Sequence, residues 1–340
     1  MSEVLSVVIT CHNLEKYIAA AIESALNQDY QGSVDVLVID DCSTDRSAEI
    51  IKSYESVRYL RPEQNLGVLM ATVLGVESTV GELVFFLDGD DVWEATKLST
   101  VVARFRADSK LALVTHDLTY IDSHGNVLDR KTRVEDAMAS IRPSSESKAI
   151  RDGILLHSDY VWLGSAYAVH RTLGDLEGFC TFAKGLPDPF NTYQDWPLAF
   201  WVACQPGVVF GYVPLKLFRY RLHGANHSGD ASSVAKAIRN VRRARNTMQA
   251  ISEIADRFTA EACVRKATDS KLAFYKYLED LYSGHKWHAM TGFFSSLAYL
   301  MKSPEPLLKE VFRFVAVQFF GVERLIGLAA IRNRRRTFNS

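Results

Sequence analysis

Residues 81–93 read GELVFFLDGDDVW. The first half, Glu82–Leu87, is an apolar run rich in aromatic and β-branched residues, the mark of a buried strand. The second half, Asp88-Gly89-Asp90-Asp91, places three carboxylates on a turn, with a glycine between the first two. Hard divalent cations such as Mg2+ or Mn2+ take carboxylate oxygens and keep water and phosphate oxygens as their remaining ligands. Two carboxylates one residue apart on a turn can face one such cation. Gly89 allows the backbone to come close. An acidic turn alone is also an ordinary solvated turn, so its neighbours decide what it means.

Those neighbours alternate between two periodicities. Val4–Thr10, Val34–Ile39 and Val57–Leu60 read as short strands, and Tyr17–Leu26, Asp45–Tyr54 and Val68–Glu77 as helices, with Ser43 or Thr44 available to cap the second. Alternation of this kind predicts an α/β domain with a mostly parallel, Rossmann-like sheet and helices on both faces. Ligands of such sheets bind beyond the carboxyl ends of the strands. Three polar clusters stand at those ends: Thr10-Cys11-His12-Asn13, Asp40-Asp41-Cys42-Ser43 and Asp88-Gly89-Asp90-Asp91. They are expected to converge on one rim. In the second cluster a carboxylate can accept from a base N–H or a ribose hydroxyl. Capping of the following helix accounts for Ser43 or Thr44 but not for two adjacent aspartates.

Beyond residue 110 the pattern loosens. Leu111–Thr115 reads as a strand and Tyr120–Leu128 as a hairpin around His124-Gly125-Asn126. Residues 130–148 read as a polar excursion and Gly174–Asn191, rich in Gly and Pro, as loop. Asp195–Cys204 reads as a short apolar helix with Pro197 just inside its start, and Val208–Val213 as a strand. From Ala231 onward helix dominates, which sets a domain boundary near Gly229: a catalytic part over residues 1–229, divided at about 110, and a helical extension over 230–340.

Composition excludes several classes. With 340 residues, 48% hydrophobic and 23% charged, the chain is globular rather than disordered. A net charge of −1 argues against a nucleic-acid partner. The five cysteines lack any CxxC spacing, so a disulfide framework or a zinc site is not expected and a reducing compartment fits. No secretory signal and no uncharged span of about 18 apolar residues appears, so the expected location is cytoplasmic. Residues 307–331 have an amphipathic pattern followed by a basic end that includes Arg332, Arg334, Arg335 and Arg336. This suits peripheral contact with an anionic membrane face, a helical cap or a homo-oligomer contact equally.

Taken together, Ser6–Tyr30 (SVVITCHNLEKYIAAAIESALNQDY), Val36–Ile51 (VLVIDDCSTDRSAEII), Asn65–Val68 (NLGV) and the opening stretch closely resemble the family 2 glycosyltransferases of the GT-A fold, of the non-processive bacterial type. The agreement covers about residues 4–100, with a looser match to about 228. The resemblance implies a nucleotide-diphosphate sugar donor, a UDP-sugar first, a divalent metal (Mn2+ or Mg2+) and a saccharide or lipid-linked acceptor. It implies that Thr10 and Glu15 lie by the nucleotide and that Asp41 reads the base with Asp40 beside it. Asn65 and Gly67 form the N-x-G turn, Asp88 bridges ribose and metal, and Asp90 binds the metal. Asp195 matches the catalytic base of inverting transfer, with Gln194 in place of the usual first acid. His223 matches a third metal ligand or diphosphate contact, and Arg221 a group that stabilises the leaving diphosphate. One departure stands out: the family's Ala-Arg-Asn segment is Ala71-Thr72-Val73 here, so its arginine is missing, and Arg61 or Arg219 is a candidate substitute. The Gln-x-x-Arg-Trp of processive synthases is absent, which implies one transfer per encounter.

Two other readings compete. A nucleotidyltransferase needs a glycine-rich basic loop after the first strand, and Thr10–Lys16 holds no glycine. A catalytically inactive binding module does not need Asp88, Asp90 and Asp195 intact.

Overall fold

The strand Leu5–Cys11 (β1) is buried almost end to end. That follows from its position, since it has parallel partners on both edges and helices over its faces. We describe the chain from a computed structural model, which covers residues 4–129, 146–156, 164–223, 233–300 and positions 311, 313–315 and 317. The chain divides into two units, Met1–Leu222 and His223–Ser340.

In the first unit β1 is followed by α1 (Ile18–Leu26), β2 (Val34–Asp40), α2 (Ser47–Lys52), β3 (Arg58–Leu60), α3 (Val68–Glu77) and β4 (Leu83–Asp88). Next come β5 (Val92–Trp93), α4 (Lys97–Ala107), β6 (Leu111–Ile121), α5 (Glu146–Leu155) and β7 (Ala168–His170). The last elements are α6 (Leu176–Lys184), α7 (Asp195–Cys204) and β8 (Val209–Arg221). The eight strands form one sheet in the order β3-β2-β1-β4-β7-β6-β8-β5. β1, β2, β3 and β4 are parallel, as is the β6–β8 pair. The sheet is mixed because β7 runs antiparallel to both β4 and β6, and β5 antiparallel to β8. β7 is preceded by a single 3-10 turn, Gly164–Ala166, and an antiparallel neighbour needs no helical crossover. The core beneath the rim is aliphatic and aromatic: Val7, Ile9, Ile18, Ile22, Val38, Phe85, Leu87, Trp93 and Phe218 are all buried.

Most expected elements are present, with three differences. The helix expected at Asp45–Tyr54 is confined to Ser47–Lys52, and neither Ser43 nor Thr44 caps it. Asp45 Oδ1 accepts from the Ser47 N–H instead, and Ser43 Oγ accepts from the Asn13 N–H. The strands expected to end at Thr115 and Val213 continue to Ile121 and Arg221, because they pair with each other along that length. Gly174–Asn191, expected to be loop, contains α6. Asp175 caps it by accepting from the Gly178 N–H, and Leu176, Phe179, Cys180 and Ala183 line its buried face. Apolar spacing outweighed the glycines there.

The second unit contains α8 (Val234–Arg257), α9 (Ala262–Tyr282) and α10 (Lys286–Leu300). Ser233 caps α8 by accepting from the Lys236 N–H. Glu279 on α9 receives Arg242 and Arg245 from α8, each at 2.9 Å. Tyr277 is fully buried, edge-on to Phe293, which stacks on Phe314 with ring centroids 5.3 Å apart. The boundary expected near Gly229, most of the excursion expected at 130–148, most of the amphipathic segment 307–331 and the basic end lie outside the described residues; the last three residues of that excursion, 146–148, open α5 instead. Among those described, no helix is long and apolar enough to cross a membrane. All five cysteines are free thiols.

Candidate active site

Register brings the three polar clusters together. β1 sets Thr10 opposite Asp88 on β4, and Cys11 opposite Asp40 on β2. The Thr10 hydroxyl lies 3.4 Å from Asp88 Oδ1. The Gly89 N–H donates to the Thr10 carbonyl at 2.9 Å, and a Cβ at Gly89 would stand 2.8 Å from that oxygen. Only glycine lets the acidic turn lie this close to β1.

The turn is held from below. Asp91 is buried, and its Oδ1 accepts from the Arg221 N–H while Oδ2 accepts from the Ser165 hydroxyl at 2.7 Å. Ser165 Oγ also accepts from the Asp88 N–H. Arg221 donates from Nε to the Asp90 carbonyl and from Nη1 to the Asp122 carbonyl, and lies over the Tyr17 ring. Lys97 is fully buried, donates to the Ser165 carbonyl and sits 4.1 Å from the Trp93 ring centroid. Burial holds its ammonium well below the ordinary lysine range. These contacts fix the backbone of Asp88–Asp91 and leave the half-buried Asp88 and Asp90 at the rim.

At the β2 end the two aspartates have different surroundings. Asp40 is fully buried and accepts from Tyr59, from Arg61 at 2.6 Å and from the Ser43 N–H. These partners hold its carboxyl below the usual range despite burial. Arg61 also donates to the Ser43 carbonyl, and Arg219 forks onto Glu94, so both candidate substitute arginines are engaged within the unit. Asp41 accepts from the backbone N–H groups of Leu66, at 2.6 Å, and Gly67, at 2.9 Å. Asn65 Oδ1 accepts from the Gly67 N–H as well. Asp41 therefore shapes the N-x-G turn. His12 Nδ1 lies 2.7 Å from the Asp41 carbonyl, and Asn65 Nδ2 lies 3.2 Å from the His12 ring nitrogens. Asn13 accepts from the Thr44 N–H, and the exposed Glu15 accepts from the Arg46 N–H.

The remaining carboxylate arrives on α7. Asp195 is its first residue, and Gln194 just before it donates from Nε2 to Asp88 Oδ1 at 3.2 Å. Gly164 closes the gap: a Cβ there would stand 3.2 Å from Gln194 Nε2, 3.7 Å from Asp195 Cβ and 4.0 Å from Asp88 Oδ2. Burial, then the charges of Asp90 and Asp195, push the Asp88 carboxyl up to about 7. Burial does the same to Asp195, also to about 7. His223 begins the second unit. Gly164, Ser165 and Lys97 carry no sequence pattern that marks them. Gln194 was visible only as a departure from an acid pair.

The Glycosyl transferase family 2 model matches residues 6–164. A glycosyltransferase of Nostoc sp., alr2836, is 31% identical over 237 residues, which is 67% of this chain and 68% of that protein. The chain belongs to glycosyltransferase family 2. Several other relatives of the transferase are matched over less than half of their own length. Two solved structures share its fold. Residues 1–349 of TarS from S. aureus, in complex with UDP-GlcNAc, superpose with a TM-score of 0.54 at 14% identity, over 88% of this chain and 92% of that one. The mannosyltransferase PcManGT of Pyrobaculum calidifontis, in complex with GDP-Man and Mn2+, gives 0.54 at 16% identity, over 94% and 82%. The GT-A fold is thus that of the transferase.

Proposed function

We propose that this protein moves a sugar, with inversion, from a nucleotide-diphosphate sugar to a hydroxyl of a saccharide or lipid-linked acceptor in surface glycan assembly. The observation that carries the reading is the approach of Asp195 to Asp88. It joins a candidate base to the acidic turn across one glycine-lined gap. A UDP-sugar is the first donor to test, since a solved structure of this fold holds UDP-GlcNAc.

In this reading Asp41, Thr10 and the 65–67 turn receive the nucleoside, with His12, Asn13 and Glu15 around it. Asp88 and Asp90 would hold a divalent ion. The residues fit such an ion: they offer hard oxygen donors, and burial, followed by the neighbouring charges of Asp90 and Asp195, raises Asp88. When bound, the ion would neutralise charge on the departing diphosphate. Asp195 takes the proton of the attacking acceptor hydroxyl. A carboxylate poised near 7 is matched to that task at neutral pH. Arg221, whose Nε donates to the Asp90 carbonyl, would hold the turn and stabilise charge on the departing diphosphate.

Calorimetry with UDP or GDP and Mn2+ tests the site. Asp90→Ala should abolish the metal dependence of nucleotide binding; unchanged binding overturns the metal role. Asp195→Asn should bind donor normally yet lose transfer by about 100- to 10,000-fold, the range of general acid–base catalysis. Near-normal turnover would remove it as base. Sedimentation with anionic vesicles tests the proposed peripheral membrane contact, and an unbound full chain refutes it.

A further inference from the structure

The helical unit contains a second group of metal-ligating side chains, separate from the acidic turn. Asp280, His285 and His288 each offer one ligand atom, and these atoms all lie within 4.8 Å of one another. No other trio of His, Cys, Asp or Glu among the described residues meets that spacing. The backbone explains how they meet. α9 ends at Tyr282, and Gly284 takes a left-handed φ of +81°. The His285 N–H then donates to the Asp280 carbonyl at 2.9 Å, and the Gly284 N–H to the Leu281 carbonyl. This is the Schellman arrangement, which fixes the third-last helical residue against the second residue past the cap. Here those two positions are Asp280 and His285. Their side chains follow, with His285 Nδ1 3.4 Å from Asp280 Oδ1.

His288 is one turn further on. It lies three residues after His285 at the start of α10, so the two imidazoles share a helix face, with ring centroids 6.2 Å apart. The Ala289 N–H donates to the His285 carbonyl, so the turn is already helical at that point. Asp280 sits in the last turn of α9, where the helix dipole favours a cation. Both histidines are exposed and Asp280 is half-buried, so an ion can reach all three.

Two imidazoles and one carboxylate are the donors of a borderline transition metal, not of Mg2+ or Ca2+. Bond lengths of about 2.0–2.2 Å put tetrahedral ligand atoms roughly 3.3–3.6 Å apart. The Asp280–His285 pair already has that separation, and the His288 ligand atom lies within 4.8 Å of both. We propose that Asp280, His285 and His288 form a Zn2+-class site that clamps the junction of α9 and α10. Water completes the coordination. The inference stands apart from the sugar-transfer site, whose acidic turn suits hard cations.

The test uses the full chain, untagged and stripped with chelator, in an Asp90→Ala background so that the acidic turn does not contribute. Co2+ is titrated and read by its visible absorption, then displaced with Zn2+. One equivalent should bind. His285→Ala and His288→Ala should each weaken it by at least about 10- to 100-fold, the range already seen for loss of an outer-shell partner. Asp280→Asn should weaken it less. A double His285→Ala, His288→Ala variant that binds with unchanged stoichiometry and affinity overturns the proposal. Zn2+ should also raise the thermal midpoint of the parent and not that of His288→Gln. An equal rise in both is a second refutation.

Discussion

Gln194 Nε2 donates to Asp88 Oδ1 across 3.2 Å, tying the residue before the candidate base to the first acid of the turn. An amide at this position supplies an N–H that a carboxylate cannot. Gln194→Met removes the donor at similar volume, and a hydrogen bond to a charged group contributes about 1.5–3 kcal/mol. We expect turnover to fall by roughly 10- to 100-fold on that basis. Gln194→Glu keeps a donor only while protonated. Its activity relative to wild type should therefore decline as pH rises and the introduced carboxyl ionises, whereas the Met variant should be low throughout. Equal pH profiles for the two variants would contradict this role.

Asp88 and Asp195, both near 7, give the metal-free protein an inverted pH response. Their ordinary value is 3.8, so between about 4 and 7 the folded state binds protons that the unfolded state has released. Stability must then fall as pH rises through that window. The midpoint of thermal unfolding, measured without metal, should drop from pH 5 to pH 7.5, and Asp195→Asn should flatten the slope. Activity has the opposite sign. A base with this value makes kcat/KM rise with pH and level off above about 7. A profile flat from pH 5 upward would exclude Asp195 as the titrating base.

The sequence showed the rim but not what supports it. Runs such as VLVI and LVFFL predict strands by composition, and parallel strands put their ends on one edge, so Thr10, Asp41 and Asp88 were readable as neighbours. Asp195 was readable through the apolar helix it opens, α7, which has the expected bounds. The supporting residues were hidden for a different reason. Ser165 and Lys97 are ordinary residue types whose importance comes from contacts across 74 and 68 positions of chain. No local period records such a contact. The same holds for β7, three residues long, whose direction is set by its neighbours β4 and β6. Asp40 and Asp41, adjacent in sequence, alternate across the strand end. One pairs inward with Arg61 and the other holds the 65–67 turn.

That division yields a prediction for Asp41. Its carboxylate accepts two backbone N–H groups. Asp41→Asn turns one acceptor into a donor facing an N–H, leaving at least one buried donor unpaired at a cost of about 1–3 kcal/mol. We expect a lower thermal midpoint together with weakened nucleotide binding, because the 65–67 turn loses its anchor. Asp40→Asn should lower stability through its lost pairing with Arg61 while changing nucleotide affinity less. Calorimetry and thermal unfolding on both variants check the contrast, and a larger binding defect in Asp40→Asn would reverse the assignment.

Ser165 joins the floor of the site to two of the turn's three acids, accepting from the Asp88 N–H and donating to Asp91 Oδ2. Ser165→Ala leaves the Asp91 oxygen, which is buried, without its hydroxyl donor, and the Asp88 N–H without its acceptor. Each unpaired group costs about 1–3 kcal/mol. Asp91 retains the Arg221 N–H, so the fold should survive with a lowered midpoint. The larger effect should be on metal-dependent nucleotide binding, since the turn carrying Asp88 and Asp90 is then held by fewer contacts. Ser165→Cys offers a weaker donor and acceptor and should lie between wild type and Ala in both measurements. A Cys variant no better than Ala, or an Ala variant with wild-type metal-dependent binding, would show that the hydroxyl does not position the turn.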